Sequence, residues 1–342
     1  MMRLKLLGGS GLRVSELCLG TMTFGNDWGW GADEATCRAI FARFVDAGGT
    51  FLDTANNYTN GTSERILGRL IADARDRYVV ATKYTLRNTA GDARNPNLGG
   101  NSRKSMLRSV EQSLRNLGSD YLDLLYLHMW DETTPVDEVL RAADDLVRAG
   151  KVLYFAFSDT PAWVVSYAVA RAEAMGWSRP VAMQAPYSLL DRAVEREVLP
   201  MARGLDLAFL AWGILEAGTL TGKYSRESDE PRRRPRASEQ ERAAGEALVR
   251  MAAEIGCTPA QLALAWVRQQ PGLIIPILGC RTLAQLEDNL GCLELRLNDE
   301  QLTTLGALAN FTPDFPSSFL HSGHVRNLIF GDTFARLDNH RA

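Results

Sequence analysis

The sequence from Leu122 to Ser158 reads LDLLYLHMWDETTPVDEVLRAADDLVRAGKVLYFAFS and contains three segments of different character. An apolar run of strand-forming residues, Leu122–His128, is followed by Pro135–Arg148, where apolar residues recur at helical spacing. A second strand-like run, Val152–Ser158, comes next. A strand, a helix and a strand in this order form a βαβ unit, in which the two strands lie parallel in one sheet.

The same alternation continues along almost the whole chain and predicts eight strands. The strand-like runs are Leu17–Met22, Phe51–Asp53, Val79–Thr82, Leu122–His128, Val152–Ser158, Val181–Gln184, Leu207–Trp212 and Ile274–Leu278. The helix-like segments are Asp33–Ala47, Ser63–Ala74, Ser102–Leu117, Pro135–Arg148, Pro161–Met175, Glu239–Ile255 and Leu283–Leu290. Eight such units can close into a (β/α)8 TIM barrel of the α/β class. A doubly wound open sheet is the alternative, but it usually has fewer strands, and no Gly-x-Gly-x-x-Gly follows the first strand.

We expect one domain over residues 1–342, because α/β barrels often exceed the usual domain size. The predicted barrel core covers about 15–292, after a short N-terminal hairpin within Leu4–Val14. A C-terminal helix and tail are expected over 298–342. Four residues are expected to cap helices at their N-termini, namely Ser63, Thr134, Thr160 and Thr258.

The long connections follow predicted strands rather than predicted helices. They are Phe24–Ala32, Tyr84–Asn101, Gly213–Ser238 and the tail Thr312–Ala342. In a barrel, the loops after the strands build the active site on the C-terminal face. The position of the long connections therefore predicts a functional site on the C-terminal face of the barrel.

The composition excludes several classes of protein. The formal net charge of −3 gives no general attraction to nucleic acid or to an anionic membrane. No apolar run approaches the length of a membrane span, and the N-terminus lacks a signal-peptide pattern, so we expect a cytoplasmic protein. Five cysteines show no CxxC spacing, and no His or Cys pattern indicates a metal site. The sequence does not determine the oligomeric state.

Four titratable residues cluster at the ends of three neighbouring predicted strands. Asp53 ends the second strand with Tyr58 just beyond it, Lys83 ends the third, and His128 ends the fourth. All four are expected on one rim of the barrel. A structural ion pair between Asp53 and Lys83 is the alternative interpretation, and the neighbouring Tyr58 and His128 argue against it.

These residue types together suit proton transfer to a carbonyl oxygen. An ammonium such as Lys83 favours the tyrosinate and is expected to lower the pKa of Tyr58, while Asp53 holds Lys83 in place. His128 can donate to an oxygen and orient it. A polarised carbonyl also needs a hydride, which no side chain supplies, so a nicotinamide cofactor is implied.

The segments Asp53-Thr-Ala-Asn-Asn-Tyr58, Ala81-Thr-Lys83 and Tyr126-Leu-His128 resemble the catalytic tetrad of the aldo-keto reductases. The resemblance extends from about Leu4 to Leu290. Within that family, the chain is most similar to the branch of aryl-alcohol dehydrogenases, microbial sugar-ketone and aldehyde reductases, and potassium-channel β subunits. The resemblance implies Tyr58 as general acid and base, Asp53 and Lys83 as its tuning pair, and His128 as the group that orients the substrate.

The resemblance also implies a cofactor site, with NADP(H) favoured over NAD(H). Ser158, Asp159 and Gln184 match positions that bind the carboxamide, and Trp212 matches the residue that stacks on the nicotinamide. Gly218, Gly222 and Lys223 match a pyrophosphate loop, and the adenosine end is matched by Gly279, Arg281, Gln285, Asp288 and Asn289. Thr21, Gly213, Leu215 and Leu220 complete the predicted set. Arg281 is the expected partner of the 2′-phosphate.

Asp159 departs from the family pattern, which often has Asn or Arg at this position, and two roles stay open for it. Its carboxylate either lies near the nicotinamide, or it caps the helix that begins at Pro161. A second departure is Gly213-Ile214, which replaces the usual Ser-Pro after the stacking aromatic residue.

The substrate and the wider function are less determined. Trp28, Trp30, Tyr84 and Trp130 are candidate substrate contacts on rim loops. The basic run Arg232–Arg236 is interpreted as a surface loop, with a lid over the cofactor phosphates as the functional alternative.

An enzyme that reduces carbonyls, or runs the reverse reaction, is the main hypothesis. The alternative is a regulatory subunit that keeps its cofactor as a redox sensor, but His128 favours the enzyme.

Overall fold

Eight parallel strands form a closed barrel in the computed structural model, which describes residues 2–87, 94–221, 238–309 and 311–338. The barrel strands are β3 (Cys18–Gly20), β4 (Phe51–Asp53), β5 (Val79–Tyr84), β6 (Leu122–Leu127), β7 (Val152–Ser158), β8 (Ala182–Pro186), β9 (Ala208–Trp212) and β10 (Ile274–Gly279). Each strand pairs with its neighbours in chain order, and β10 closes the ring against β3. The predicted (β/α)8 barrel is confirmed.

Most of the α-helices surround the barrel and cover its outer face, whereas the last two, in the C-terminal tail, contact each other and are largely exposed. Within the described residues they are α1 (Glu34–Asp46), α2 (Thr62–Ile71), α3 (Arg103–Leu117), α4 (Val136–Arg148), α5 (Ala162–Met175), α6 (Val198–Gly204), α7 (Glu239–Ile255), α8 (Pro259–Arg268), α9 (Leu283–Leu290), α10 (Asp299–Gly306), α11 (Ser317–Leu320) and α12 (Gly323–Phe330). The helical segments expected from the sequence do not include α8, although Thr258 is expected to cap a helix there, because nearly all residues of α8 are buried and it has little exposed polar face. The expected segments also omit α6, which is only 7 residues long.

A short antiparallel hairpin closes the bottom of the barrel, as the sequence predicts. Its strands are β1 (Leu4–Leu6) and β2 (Arg13–Ser15). Leu7 and Val14 are fully buried and pack in the same cluster as the side chains that fill the barrel interior. Side chains of the hairpin therefore help to fill the barrel interior at this end.

Alternation along the strands decides which side chains reach the barrel interior. Phe51, Ala81 and Leu124 belong to the interior cluster, and a larger apolar cluster fills the layer between strands and helices. Because successive side chains on a strand point to opposite faces, Asp53 and Lys83 lie on the interior side, two residues further along. The same alternation places the polar side chains at the C-terminal ends of several strands around one opening of the barrel, which we call the mouth.

A buried ion pair ties the bottom of the barrel to α8. Arg268 donates to Glu16 at 2.9 Å, and the side chains of the two residues are 2% and 4% exposed. Arg268 also donates to the carbonyl oxygens of Cys292 and Leu295, each at 3.0 Å. Burial would raise the pKa of Glu16, but hydrogen bonds from Arg3 and Arg268 hold it below its ordinary value.

Only one of the four expected helix caps is present. Thr258 accepts from the backbone of Gln261 in a capping box at the start of α8. Ser63 lies inside α2, whose N-cap is Gly61. Thr134 and Thr160 do not cap their helices, because their hydroxyls donate to Asp131 and to the Ser158 carbonyl.

No helix within the described ranges combines the length and apolar character that a membrane span requires. In the same ranges, no group of three or more His, Cys, Asp or Glu side chains is placed to hold a metal ion.

Candidate active site

Lys83 is the centre of a compact polar cluster at the mouth of the barrel. Its ammonium donates to Asp53 at 2.5 Å, to the Thr54 carbonyl at 2.9 Å and to the Tyr58 hydroxyl at 3.3 Å. The second carboxylate oxygen of Asp53 accepts from Gln184 at 3.1 Å. The ammonium thus has three acceptors, and one of them is the tyrosine hydroxyl.

The electrostatics of the cluster keep its lysine charged and its tyrosine protonated. Burial alone would lower the pKa of Lys83, but the Asp53 carboxylate raises it above its ordinary value. The pKa of Tyr58 is raised, because burial outweighs the opposing effect of Lys83. Lys83 does act to lower the Tyr58 pKa, as expected, but burial has the larger effect, so the expected lowering of this pKa is wrong. Tyr58 is a phenol at neutral pH, with the Lys83 charge beside it.

His128 lies next to Tyr58 and is uncharged. The two rings meet edge to face, with centroids 5.9 Å apart. Burial, and then the Lys83 charge, lower the pKa of His128 to about 3. Its Nδ1 is buried and has no hydrogen-bond partner among the residues described. A neutral imidazole carries one N–H donor, and a buried N–H without an acceptor is rare, so the proton is favoured on Nε2.

Backbone strain is concentrated around this mouth. Of the eight non-glycine residues with positive φ in the described ranges, seven follow the C-terminal ends of barrel strands. They are Thr59, Asn60, Thr85, Glu132, Asp159, Glu216 and Ala217. Such conformations cost of order 1–3 kcal/mol each and persist where the surrounding structure enforces them, often at functional sites.

Two residues that are predicted to bind the carboxamide of the cofactor lie at the ends of the neighbouring strands β7 and β8. Ser158 and Gln184 are paired in register and both are buried. The Ser158 hydroxyl has no partner within the described part of the chain. A buried hydroxyl usually has a hydrogen-bond partner, so this one fits a ligand group with polar atoms, such as the carboxamide of a nicotinamide.

Asp159 and Trp212 form a pair beside the cluster. The Trp212 indole donates to the Asp159 carboxylate at 3.2 Å, and α5 has no side-chain cap. The helix-cap alternative for Asp159 is therefore wrong. Burial raises the pKa of Asp159 to about 6, against the effects of Trp212 and Lys83. Trp212 is 40% exposed, which leaves a face of its ring free to stack on a planar ligand.

The structure describes the first part of the predicted phosphate-binding loop after β9, and its glycines have the backbone conformation of a tight turn. Gly213 and Gly218 both have positive φ, at 75° and 100°. The Leu215 carbonyl accepts from the amides of Gly218 and Leu220, so those two amides are already used. Gly222, Lys223 and the basic run Arg232–Arg236 lie outside the described residues.

The predicted adenosine end surrounds the start of α9. Gly279 has open space at the position of a Cβ, and Arg281 is half-buried and lines a groove that reaches the start of α1. Gln285 accepts from the backbone amide of Arg281 at 2.8 Å. The other two predicted residues have internal contacts, since Asp288 accepts from Thr258 and Asn289 donates to the Cys280 sulfur.

Aromatic residues from one rim loop lie beside Tyr58. Trp28 meets the Tyr58 ring edge-on at 6.4 Å, and Trp30 packs against Trp28 at 5.5 Å. Trp130 is half-buried, with its amide bonded to the Asp159 carbonyl. Tyr84 is fully buried in the layer between strands and helices, because it follows the inward-facing Lys83. The structure does not bring Tyr84 to the mouth.

Sequence reasoning missed the hydroxyl network that supports the cluster. The Ser63 hydroxyl lies 2.8 Å from that of Thr21 and 3.0 Å from that of Thr54, whose carbonyl accepts from Lys83. Thr21 itself is fully buried, and its hydroxyl donates to the Asp53 carbonyl. Single hydroxyl residues far apart in sequence carry no pattern, so nothing in the sequence indicates this network.

A family model and several proteins match this chain over most of its length. The model of the aldo/keto reductase family matches residues 16–310. A norsolorinic acid reductase of Emericella nidulans is 39% identical over 318 residues, which cover 91% of this chain and 82% of that protein. An aryl-alcohol dehydrogenase [NADP(+)] of Phanerodontia chrysosporium is 35% identical over 351 residues, covering 95% and 90%. An aryl-alcohol dehydrogenase of Pestalotiopsis microspora is 36% identical over 322 residues, covering 91% and 83%.

The match to the family model exceeds half of the chain, and the relatives include the aryl-alcohol dehydrogenases named for the resemblance. The family model and the relatives agree with the closed eight-stranded barrel, and they indicate an NAD(P)H-dependent enzyme that acts on carbonyls. This chain belongs to the aldo/keto reductase family.

Proposed function

We propose that the protein is an NADP(H)-dependent oxidoreductase that interconverts an aldehyde or ketone with its alcohol, with Tyr58 as general acid and base. The observation that carries this proposal is the 3.3 Å contact between the Lys83 ammonium and the Tyr58 hydroxyl. A tyrosine beside a charged lysine can release its proton to a substrate oxygen, because the lysine stabilises the tyrosinate that forms.

Each residue of the cluster has a distinct part in this proton transfer. In reduction, the Tyr58 hydroxyl donates its proton to the carbonyl oxygen, and in oxidation the tyrosinate accepts the proton of the alcohol. Asp53 holds Lys83 charged and in position. The neutral His128 donates from Nε2 to the same oxygen and orients it beside Tyr58.

The residues at the mouth fit a nicotinamide cofactor. When bound, such a cofactor supplies or accepts the hydride. Ser158, with its buried hydroxyl free for a ligand, and Gln184 would hold the carboxamide, while Trp212 would stack on the ring. Arg281 would hold the 2′-phosphate.

Aromatic carbonyls and benzylic alcohols are the substrate class that we propose. The tryptophan pair beside Tyr58 offers flat apolar surfaces to an aryl ring. The relatives named for norsolorinic acid and aryl alcohols support the same class. A screen of aromatic aldehydes, sugar ketones and secondary alcohols with NADPH and NADP⁺ tests this. Many turnovers with an aryl aldehyde are expected, whereas a redox-sensor subunit would oxidise about one equivalent of NADPH.

We expect Arg281→Ala to reduce the preference for NADPH over NADH at least tenfold. A charge-assisted contact to the 2′-phosphate contributes roughly 1.5–3 kcal/mol, and NADH lacks that phosphate. Dissociation constants measured for both cofactors check this. Arg296→Ala is the control: it removes the same charge from an exposed arginine that follows α9 and does not belong to the predicted cofactor residues. An unchanged NADPH-to-NADH ratio in Arg281→Ala would place the contact elsewhere.

We expect Asp159→Asn to weaken NADP⁺ relative to NADPH by roughly fivefold. The oxidised ring is positively charged, so a carboxylate held beside it by Trp212 stabilises NADP⁺. After solvent screening this corresponds to about 1 kcal/mol. The measurement is the pair of dissociation constants for wild type and variant.

The pH dependence provides a control for the same prediction. The pKa of Asp159 is about 6, so its carboxylate is charged above that pH and becomes neutral below it. In the wild type, the preference for NADP⁺ should therefore fade as the pH falls through about 6, and in Asp159→Asn it should stay flat. The 2′-phosphate titrates alike in both cofactor forms and cancels in the ratio. Parallel pH curves for wild type and variant would contradict the electrostatic role.

A further inference from the structure

The residue that follows Tyr58 adopts a conformation that is unusual for its type. Thr59 has φ 44° and ψ 43°, in the left-handed region, and Asn60 and Gly61 continue in that region with φ 56° and 84°. A β-branched residue is a genuine outlier there, because its side chain crowds the backbone. Something in the surrounding structure must hold Thr59 in this conformation.

The hydroxyl of Thr59 makes two buried hydrogen bonds to separate parts of the chain. It donates to the Phe24 carbonyl at 2.7 Å and accepts from the Ser63 amide at 3.0 Å. Thr59 is fully buried, so water cannot replace either partner. One side chain next to Tyr58 therefore connects the loop after β3 with the first turn of α2.

The loop that begins at Phe24 carries the aromatic pair at the mouth. Trp28 contacts the Tyr58 ring, and Trp30 packs against Trp28. A second contact between loop and turn runs from the Thr62 hydroxyl to Asp27 at 3.0 Å, but it is exposed to solvent. The buried bond through Thr59 is therefore the stronger of the two constraints on where the loop lies relative to Tyr58.

We propose that Thr59 is a positioning residue that latches the loop Phe24–Ala32 onto the Tyr58 turn and thereby sets the aromatic wall against which aryl substrates bind. Thr59 follows Tyr58 in the chain and is hydrogen-bonded to the Phe24 carbonyl at the start of the loop. Further along the same loop, Trp28 returns to contact the Tyr58 ring. The substrate part of this inference rests on the proposed carbonyl reductase function. The structural part, that the Thr59 hydroxyl holds the loop, does not depend on that function.

The test compares Thr59→Val, which keeps the branched shape but lacks the hydroxyl, with Thr59→Ser, which keeps the hydroxyl. Hydrogen exchange of the peptide covering residues 22–32 reports on the loop without any catalysis. We expect exchange about tenfold faster in Thr59→Val, since the hydroxyl's buried bonds to Phe24 and from Ser63 are both lost, and close to wild type in Thr59→Ser. Thr62→Val, which removes the exposed bond to Asp27, should change exchange less than Thr59→Val.

Steady-state kinetics with NADPH supplies the second readout. With an aromatic aldehyde, Thr59→Val should raise KM about tenfold, whereas the KM for propanal, which has no ring, should change much less. Thr59→Ser should restore the aromatic KM. Should Thr59→Val fail to fold, Thr59→Gly provides the same comparison, because glycine adopts the left-handed conformation without strain.

Several results would overturn the latch. They are unchanged exchange in residues 22–32, an equal change in KM for both aldehydes, or failure of Thr59→Ser to restore the wild-type values. Absence of turnover by the wild type with every carbonyl would instead count against the proposed function, and the exchange comparison would still decide whether Thr59 holds the loop.

Discussion

Tyr58→Phe is expected to lower turnover of an aromatic aldehyde by roughly 10²–10⁴-fold, the usual contribution of general acid catalysis. The variant loses only the hydroxyl that lies 3.3 Å from the Lys83 ammonium. Its ring can keep the edge contacts with Trp28 and His128. The dissociation constant of NADPH should therefore stay close to that of the wild type. Single-turnover and steady-state rates, together with a binding titration, measure both quantities.

Tyr84→Phe is a matched control for this variant. It removes a second buried tyrosine hydroxyl, which donates to the Asn101 carbonyl at 3.3 Å in the layer outside the barrel. Turnover should stay within a fewfold of the wild type, because this hydroxyl does not face the mouth. Near-normal turnover by Tyr58→Phe, or an equal loss in both variants, would remove Tyr58 from the role of proton donor.

The second large effect concerns stability. Arg268→Met should lower the free energy of unfolding by about 3–5 kcal/mol, because it leaves the Glu16 carboxylate buried without its buried partner. The variant also removes donors from the carbonyl oxygens of Cys292 and Leu295, where α9 is followed by the last helices. Denaturant unfolding followed by circular dichroism gives the free energies.

Arg3 provides the matched control, since it pairs with the same carboxylate from the surface. Its side chain is 65% exposed, and exposed ion pairs contribute only about 0–1 kcal/mol, so Arg3→Ala should change stability little. In the double variant Glu16→Gln/Arg268→Met, part of the loss should be recovered, because no buried carboxylate is then left without the Arg268 charge. Equal losses from Arg3→Ala and Arg268→Met would show that burial does not govern this pair.

The sequence predicts the barrel well because its signal is repeated. Leu122–His128 is buried throughout, Val152–Ser158 is buried except at Leu153 and Tyr154, and both runs are rich in strand-forming residues, so their positions agree with β6 and β7 within a residue. Alternation then places Asp53 and Lys83 on one side of neighbouring strands. The proximity of these candidate residues follows from topology alone.

Properties that depend on exact surroundings were not predictable. The pKa of Tyr58 depends on how far burial exceeds the effect of Lys83, and the sequence contains no measure of burial. The role of Asp159 depended on whether its side chain lies towards Trp212 or towards α5, which the sequence does not determine. Thr59 and Ser63 act through single hydrogen bonds across the fold. Such contacts have no spacing rule from which they can be read.

The left-handed residues around the mouth have a consequence for engineering the enzyme. Replacing such a residue with glycine relieves the strain of a positive φ, because glycine has no Cβ. At Glu132, which has φ 59° and belongs to neither the cluster nor the latch, that exchange is a reasonable first choice. At Thr59 and Asp159 the same exchange would also delete a side-chain contact of the reaction site. A library for thermal tolerance should therefore treat these positions as two groups, one to be randomised and one to be kept.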